Sequence, residues 1–184
     1  MDVLVPIVFP DYKISALGTT WSSLGHAGIL LVLGSTGTTK YYEYGRYDKA
    51  AVGLVRKRDV PNARILDGKI DQQSLSMALH EIALKAGHAT RIEGAYIEQD
   101  GGYPKALAAI QARLDTNKDA NRKSYGLLMN NCADFMKQAL EAAGVDVPWM
   151  IDPRPNSYIA ELRSDFPSLD YDPGSKTLVI GAKP

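Results

Sequence analysis

The segment GHAGILLVLG, residues 25–34, constrains this chain more than any other stretch. From Ile29 to Leu33 it is apolar at consecutive positions, and because side chains alternate across a strand, both faces of such a strand have to be covered. GSTG at 34–37 then turns the chain. TTKYYEYGRY (38–47) supplies the Thr and Tyr of a partner strand, so 26–45 is expected to be a hairpin.

Helical patterns follow. Asp71 stands as an N-cap before DQQSLSMALHEIALKAG, with Leu75, Leu79 and Ile82 at helical spacing and a stop at Gly87. Pro104 fits the first turn of a second helix whose apolar face is Ala106, Leu107, Ile110 and Leu114. Asn131 can cap a third, carrying Phe135, Met136, Ala139, Leu140 and Ala143 inward and ending at Gly144. A short fourth helix is expected at 157–164, and TNKDANRK (116–123) reads as a polar loop. Further strands are expected at 2–9, 51–57, 89–98 and 177–181, the first at a sheet edge or interrupted because Pro6 cannot donate a ladder hydrogen bond. The fold class is therefore mixed α+β, in one domain spanning 1–184, since 184 residues match a single domain.

Composition excludes several functions. With 45% apolar and 23% charged residues the chain is neither disordered, collagenous nor a coiled coil. Its 21 basic and 21 acidic residues cancel, removing the electrostatic footprint of a general nucleic-acid binder or polybasic membrane protein. No apolar run approaches the ~20 residues of a membrane helix, so no transmembrane segment is expected. The start, MDVLVPIVFPDYKIS, opens on an acid and is broken by Pro6 and Pro10, so it does not read as a secretory signal. A soluble protein made in the cytoplasm is the expectation.

The chain holds one cysteine, Cys132, which rules out an intramolecular disulfide. Placed in the first turn of the Asn131-capped helix, its sulfur lies near exposed N–H groups and the positive end of the helix dipole, which favour a thiolate nucleophile. A lone cysteine also serves as a small buried hydrophobe, but the apolar face here begins only at Phe135, so Cys132 need not be core. A thiol nucleophile needs a base. His80 sits mid-helix beside Glu81 and reads as a solvated surface residue, and His88 follows Gly87 as a helix-end cap. His26 differs. It heads the buried strand between Gly25, Ala27 and Gly28, small residues that leave room for a substrate or a helix to approach the imidazole. Glu43, among Tyr41, Tyr42 and Tyr44 on the partner strand, is the candidate to orient that imidazole, with Asp48 and Tyr44 as weaker substitutes. It shares the face of His26 only if the turn has the right parity; otherwise it points to solvent or pairs with Arg46.

LGHAGILLV, then YYEYGRYD, then NNCADFMKQALEAAGV resembles the circularly permuted branch of the NlpC-type, papain-like cysteine hydrolases, in which the histidine strand precedes the cysteine helix. His26, Glu43 and Cys132 match the positions of that motif, although lecithin:retinol acyltransferase relatives carry histidine where Glu43 stands. The resemblance implies a papain-like fold, an antiparallel sheet packed against the helix that bears the nucleophile. GHAGILL and TKYYEYGRYD, with the tail WMIDPRPNSY, are also similar to cysteine-hydrolase effectors of bacterial type VI secretion systems. That likeness implies a peptidoglycan stem-peptide substrate, action in the periplasm of a target cell, an immunity protein, a secretion-apparatus partner and no cofactor.

On this reading His26 deprotonates Cys132 and the thiolate attacks an amide carbonyl. The Cys132 N–H then meets the oxyanion, with the side chain of Asn130 or Tyr125 as a further donor. Asn131 belongs with these as an oxyanion or substrate-binding candidate. Two alternatives use the same residues: a lipid acyl-hydrolase or acyltransferase with the same Cys–His pair, and an inactive binding module presenting Tyr41, Tyr42, Tyr44, Tyr47 and Trp149 as an aromatic surface.

Overall fold

The computed structural model describes residues 1–12, 14–16, 19–21, 25–47, 52–126 and 129–184. The strands are β1 (Asp2–Phe9), β2 (Ile14–Ala16), β3 (Thr19–Trp21), β4 (His26–Val32), β5 (Thr39–Gly45), β6 (Leu54–Arg58), β7 (Ile65–Leu66), β8 (Lys69–Ile70), β9 (Ile92–Ala95), β10 (Ile97–Gln99), β11 (Ser168–Asp172) and β12 (Thr177–Ile180). The helices are α1 (Gln72–Ala86), α2 (Gly102–Asp115), α3 (Cys132–Ala142) and α4 (Pro155–Asp165), with a 3-10 turn at Thr116–Lys118. The main sheet is antiparallel in the order β12-β11-β9-β1-β4-β5-β6, with β10 also paired to β1.

Alternation divides this sheet between two cores. Leu4 and Val8 of β1 and Ala27, Ile29 and Leu31 of β4 pack with α2, α3 and α4 on one face. Val3, Val5, Ile7 and Phe9, with Leu30 and Val32, pack with α1 on the other. Every residue of β4 is buried, which accounts for its continuous apolar run. The hairpin forms as expected: Leu33 N–H donates to Thr38 O at 2.9 Å and Gly37 N–H to Leu33 O at 2.7 Å.

β1 departs from the expectation of an edge. It lies in the middle of the sheet, between β4 and the pair β9 and β10. The Pro6 carbonyl faces Gly94 of β9, so its missing N–H falls on the same side, where that neighbour is broken between Ala95 and Ile97. Tyr96, at the break, donates instead to Pro167 O at 2.8 Å. A proline is thus accommodated centrally because its partner strand is interrupted. The edge strand β6 is covered by Asn117, whose amide accepts from Val55 N–H at 3.0 Å and donates to Val55 O at 2.8 Å.

Local chemistry sets the helix starts. Asp71 accepts from Ser74 N–H and caps α1. Gly101, before α2, supplies no capping side chain; Asp2 does so from β1, accepting Tyr103 N–H at 3.1 Å and Gly34 N–H at 2.9 Å. At α3, Asn131 and Asp134 form a reciprocal capping box. Among the described residues no helix is long and apolar enough to cross a membrane.

Candidate active site

The register of the hairpin answers the question of parity. Gly28 pairs with Glu43, so Glu43 shares its face with Gly28 and, two residues earlier, with His26. His26 Nε2 stands 3.0 Å from Glu43 Oε2. A carboxylate only accepts, so Nε2 carries the proton of that hydrogen bond. The other carboxylate oxygen, Oε1, accepts from Arg58 Nε at 2.9 Å. Tyr47 completes the cluster, its hydroxyl 3.0 Å from the same imidazole nitrogen and its ring edge-on to the imidazole. Phe9 stacks on the ring from the neighbouring strand, with centroids 6.1 Å apart.

Cys132 reaches this cluster from elsewhere. Helix α3 packs on the sheet face bearing Ala27 and Ile29, whereas alternation directs His26 and Glu43 to the opposite face with Phe9 and Tyr41. His26 is the first residue of β4 and Cys132 the first of α3, and the sulfur lies close enough to the imidazole to influence its protonation. Thiol, imidazole and carboxylate therefore meet at the end of the sheet. Gly25 makes room for this: its φ is +68°, and a Cβ there would lie 2.2 Å from Asn156 Oδ1 and 2.9 Å from Val8.

Electrostatics follow from burial and these partners. Burial alone pulls the His26 pKa down, but hydrogen bonds and charge from Cys132 and Glu43 outweigh it and raise the group to about 9. Burial pushes the Glu43 carboxyl up, yet His26 and then Arg58 hold it below its ordinary value. The imidazole is thus held by the Glu43 carboxylate, with the Cys132 sulfur nearby. Burial, reinforced by Glu43, keeps the Tyr47 hydroxyl protonated.

The remaining candidates divide. The Tyr125 hydroxyl donates to Cys132 Sγ at 3.6 Å. Asn130 turns elsewhere: at φ +61° its Nδ2 donates to Ser124 O at 2.7 Å and Tyr44 Oη at 3.0 Å, while its Oδ1 accepts from Arg113. Asn131 is committed to the helix cap through Ala133 N–H and Asp134 N–H, and its Nδ2 donates to Pro153 O at 3.2 Å. Tyr44 lies on the α3 face, away from His26, stacked on Phe135. Asp48 lies outside the described residues.

Several expectations are corrected. Cys132 is 1% exposed and His26 7%, and the thiol is packed within a core cluster of the described residues. The space beside Gly25 and Gly28 is filled by Asn156, Val8 and the Tyr41 ring. A cavity of about 600 Å3 lies instead beside α1, lined by Met77, His80, Lys85 and Tyr171. His80 is half-buried there, its Nδ1 3.0 Å from the Tyr171 hydroxyl. The N–H groups of Gly87 and Ala89 both donate to the Ala83 carbonyl at the end of α1, while the His88 ring meets Tyr12 edge-on. Tyr41, Tyr42 and Tyr44 are buried while Trp149 is exposed, so they form no common surface. The sequence did not point to Arg58, and pointed to Tyr47 only as part of an aromatic surface rather than as a neighbour of His26; a cation two residues beyond the one that pairs with Glu43 was the only signal for Arg58. Among the described residues no group of three His, Cys, Asp or Glu side chains is arranged to hold a metal ion.

Fold and cluster together define a mixed α+β protein in which a helix-borne thiol, an imidazole and a clamped carboxylate converge at one end of an antiparallel sheet. The chain belongs to the family of type VI secretion system effectors described as TseH-like, which matches residues 4–146. It is similar to the crystal structure of the type VI secretion system effector TseH, at 35% identity and a TM-score of 0.87 over 98% of each chain. The comparison with curated proteins gives no match.

Proposed function

We propose that this effector is a cysteine peptidase or amidase that cleaves peptidoglycan stem peptides. The observation that carries the reading is one imidazole hydrogen-bonded to a carboxylate held by arginine and set close enough to the lone thiol to be influenced by it. In the proposed reaction the Cys132 sulfur, its proton held by His26, attacks the amide carbonyl carbon. The tetrahedral oxyanion collapses, the C–N bond breaks, and His26 gives its proton to the leaving amine. Water, deprotonated by His26, then hydrolyses the thioester and returns the thiol. Glu43 fixes the ring so that Nε2 faces the carboxylate and leaves Nδ1 for the sulfur. The Cys132 N–H, at the first position of α3, and the Tyr125 hydroxyl are the oxyanion donors.

The chain order, a histidine strand before a cysteine helix, supports a permuted NlpC-type, papain-like fold in one domain over 1–184. Membership in a type VI effector family supports delivery into a target cell, action in its periplasm, and pairing with an immunity protein and a component of the secretion apparatus. Cys132→Ala directed to the periplasm of a test bacterium should abolish lysis while circular dichroism and melting stay close to the parent. Undiminished lysis by that variant would remove the nucleophile assignment, and intact fragment masses after digestion of purified sacculi would remove the substrate.

A further inference from the structure

Arg56 pairs with Glu43 in the β5–β6 register and so lies on the face of the sheet that carries the imidazole. Its guanidinium is stacked on Tyr47, with Cζ 3.6 Å from the ring centre, and the hydroxyl of that ring is 3.0 Å from His26 Nε2. Arg64, Arg91, Arg154 and Arg163 each contact a carboxylate, and Arg58 contacts Glu43. Arg56 has no carboxylate partner among the described residues, because both Glu43 oxygens are taken, Oε1 by Arg58 and Oε2 by His26. The cations gathered here are Arg56, Arg58 and His26; the anions are Glu43 and, when ionised, Cys132. One positive charge is left over when the thiol is ionised and the imidazole protonated, and the same one remains when that proton sits on the sulfur instead. A guanidinium held over an aromatic face by its π-cloud leaves its N–H donors available for the fork that fits a carboxylate.

We propose that Arg56 is the carboxylate receptor of this site, selecting acidic peptides that carry a free carboxylate next to the scissile amide. The inference rests on the hydrolase reading above and names the substrate feature that reading leaves open. Arg56 touches no reacting atom; it fixes the substrate by a two-point contact and sets which amide lies over the sulfur.

Two probes test it: a γ-glutamyl peptide with a free α-carboxylate, and the same peptide with that group as the carboxamide. Binding is measured by calorimetry on Cys132→Ala protein, with and without Arg56→Gln. The acid should bind about 10-fold or more tightly than the amide, as a charge-assisted fork does. Arg56→Gln should erase the difference by weakening the acid alone, and Arg56→Lys should keep part of it, having the charge without the fork. Added salt should narrow the gap in the protein that retains Arg56. Equal binding of the two peptides, or a preference that survives Arg56→Gln, overturns the proposal. Cleavage by the Cys132-bearing protein is scored separately: cleavage without discrimination sinks only the role of Arg56, and discrimination without cleavage sinks only the hydrolase.

Discussion

Arg58 donates through Nε to Glu43 Oε1 at 2.9 Å, and this contact ties the carboxylate of β5 to the edge strand β6. Glu43 is 1% exposed, so the charge it presents to His26 depends on a cation that neutralises its far side. Arg58→Met should destabilise the fold by about 2–3 kcal/mol, less than a wholly buried pair because the arginine is half-exposed. Glu43→Gln keeps the shape but no longer anchors an imidazolium, and should lower kcat by about 100-fold to 10,000-fold. Urea melts and amidase assays of both variants read these out. Equal and small losses in Glu43→Gln and Asp48→Asn would place the orienting group elsewhere.

The pH dependence has a definite sign. His26 is raised from 6.5 to about 9 in the fold, so its contribution to stability is complete below about 6.5 and is lost as pH rises through about 9. Glu43 is lowered from 4.5, so its contribution is present above that value and is lost as pH falls below it. Thermal melts should therefore drop on the alkaline side near 9. Cys132 supplies two of the four influences that raise His26, so in Cys132→Ala the imidazole should titrate at a lower pH, and the alkaline loss should begin earlier. Imidazole NMR resonances follow this directly. An imidazole already titrating near 6.5 in the unmutated protein contradicts the buried ion pair.

Tyr125 and Asn130 were equivalent candidates for the oxyanion site, and their contacts separate them. The Tyr125 hydroxyl touches the sulfur at 3.6 Å; burial and Cys132 push its pKa up, against a hydrogen bond from the Cys132 backbone. It is therefore a protonated donor beside both the nucleophile and its amide. Tyr125→Phe should cost about 100-fold in kcat with little change in KM. Asn130 is bonded to the loop carbonyls and Tyr44, and its backbone is left-handed. Asn130→Gly should lose only the side-chain bonds, and Asn130→Ala should lose about 1 kcal/mol more from the backbone. A kcat loss in Asn130→Gly as large as that of Tyr125→Phe would reverse the assignment.

Much of this arrangement was legible because it is local. The hairpin, the Asp71 cap and the Asn131–Asp134 capping box depend on neighbours within a few residues. What was not legible depends on distant partners. Pro6 is tolerated in the centre of the sheet because β9 and β10 part at Tyr96, about ninety positions later. β11 lies between β9 and β12, a placement its five residues do not announce. The small residues around His26 read as open space, but Asn156 of α4 and the Tyr41 ring occupy it. Arg58 becomes visible only once the β5–β6 register is known, since that register sets which cation meets Glu43.

Asn131 links fold to chemistry without touching the sulfur. Its Oδ1 accepts from Ala133 N–H at 2.8 Å and Asp134 N–H at 3.0 Å, and its Nδ2 donates to Pro153 O at 3.2 Å. The first contacts fix where α3 begins, and so where Cys132 stands; the last ties that start to the segment leading into α4. Asn131→Ala removes both and should cost about 1–2 kcal/mol of stability. Asn131→Asp keeps a cap oxygen at the positive end of the helix but cannot donate to Pro153, and it sets a second acid beside Asp134. Asn131→Ser keeps the cap without the added charge. If the cap positions the thiol, Asn131→Ser should retain most of the alkylation rate of Cys132, while Asn131→Ala slows it and raises its spread across pH. Should all three variants alkylate alike, the position of the sulfur is set by packing of α3 against β4, and the cap contributes stability alone.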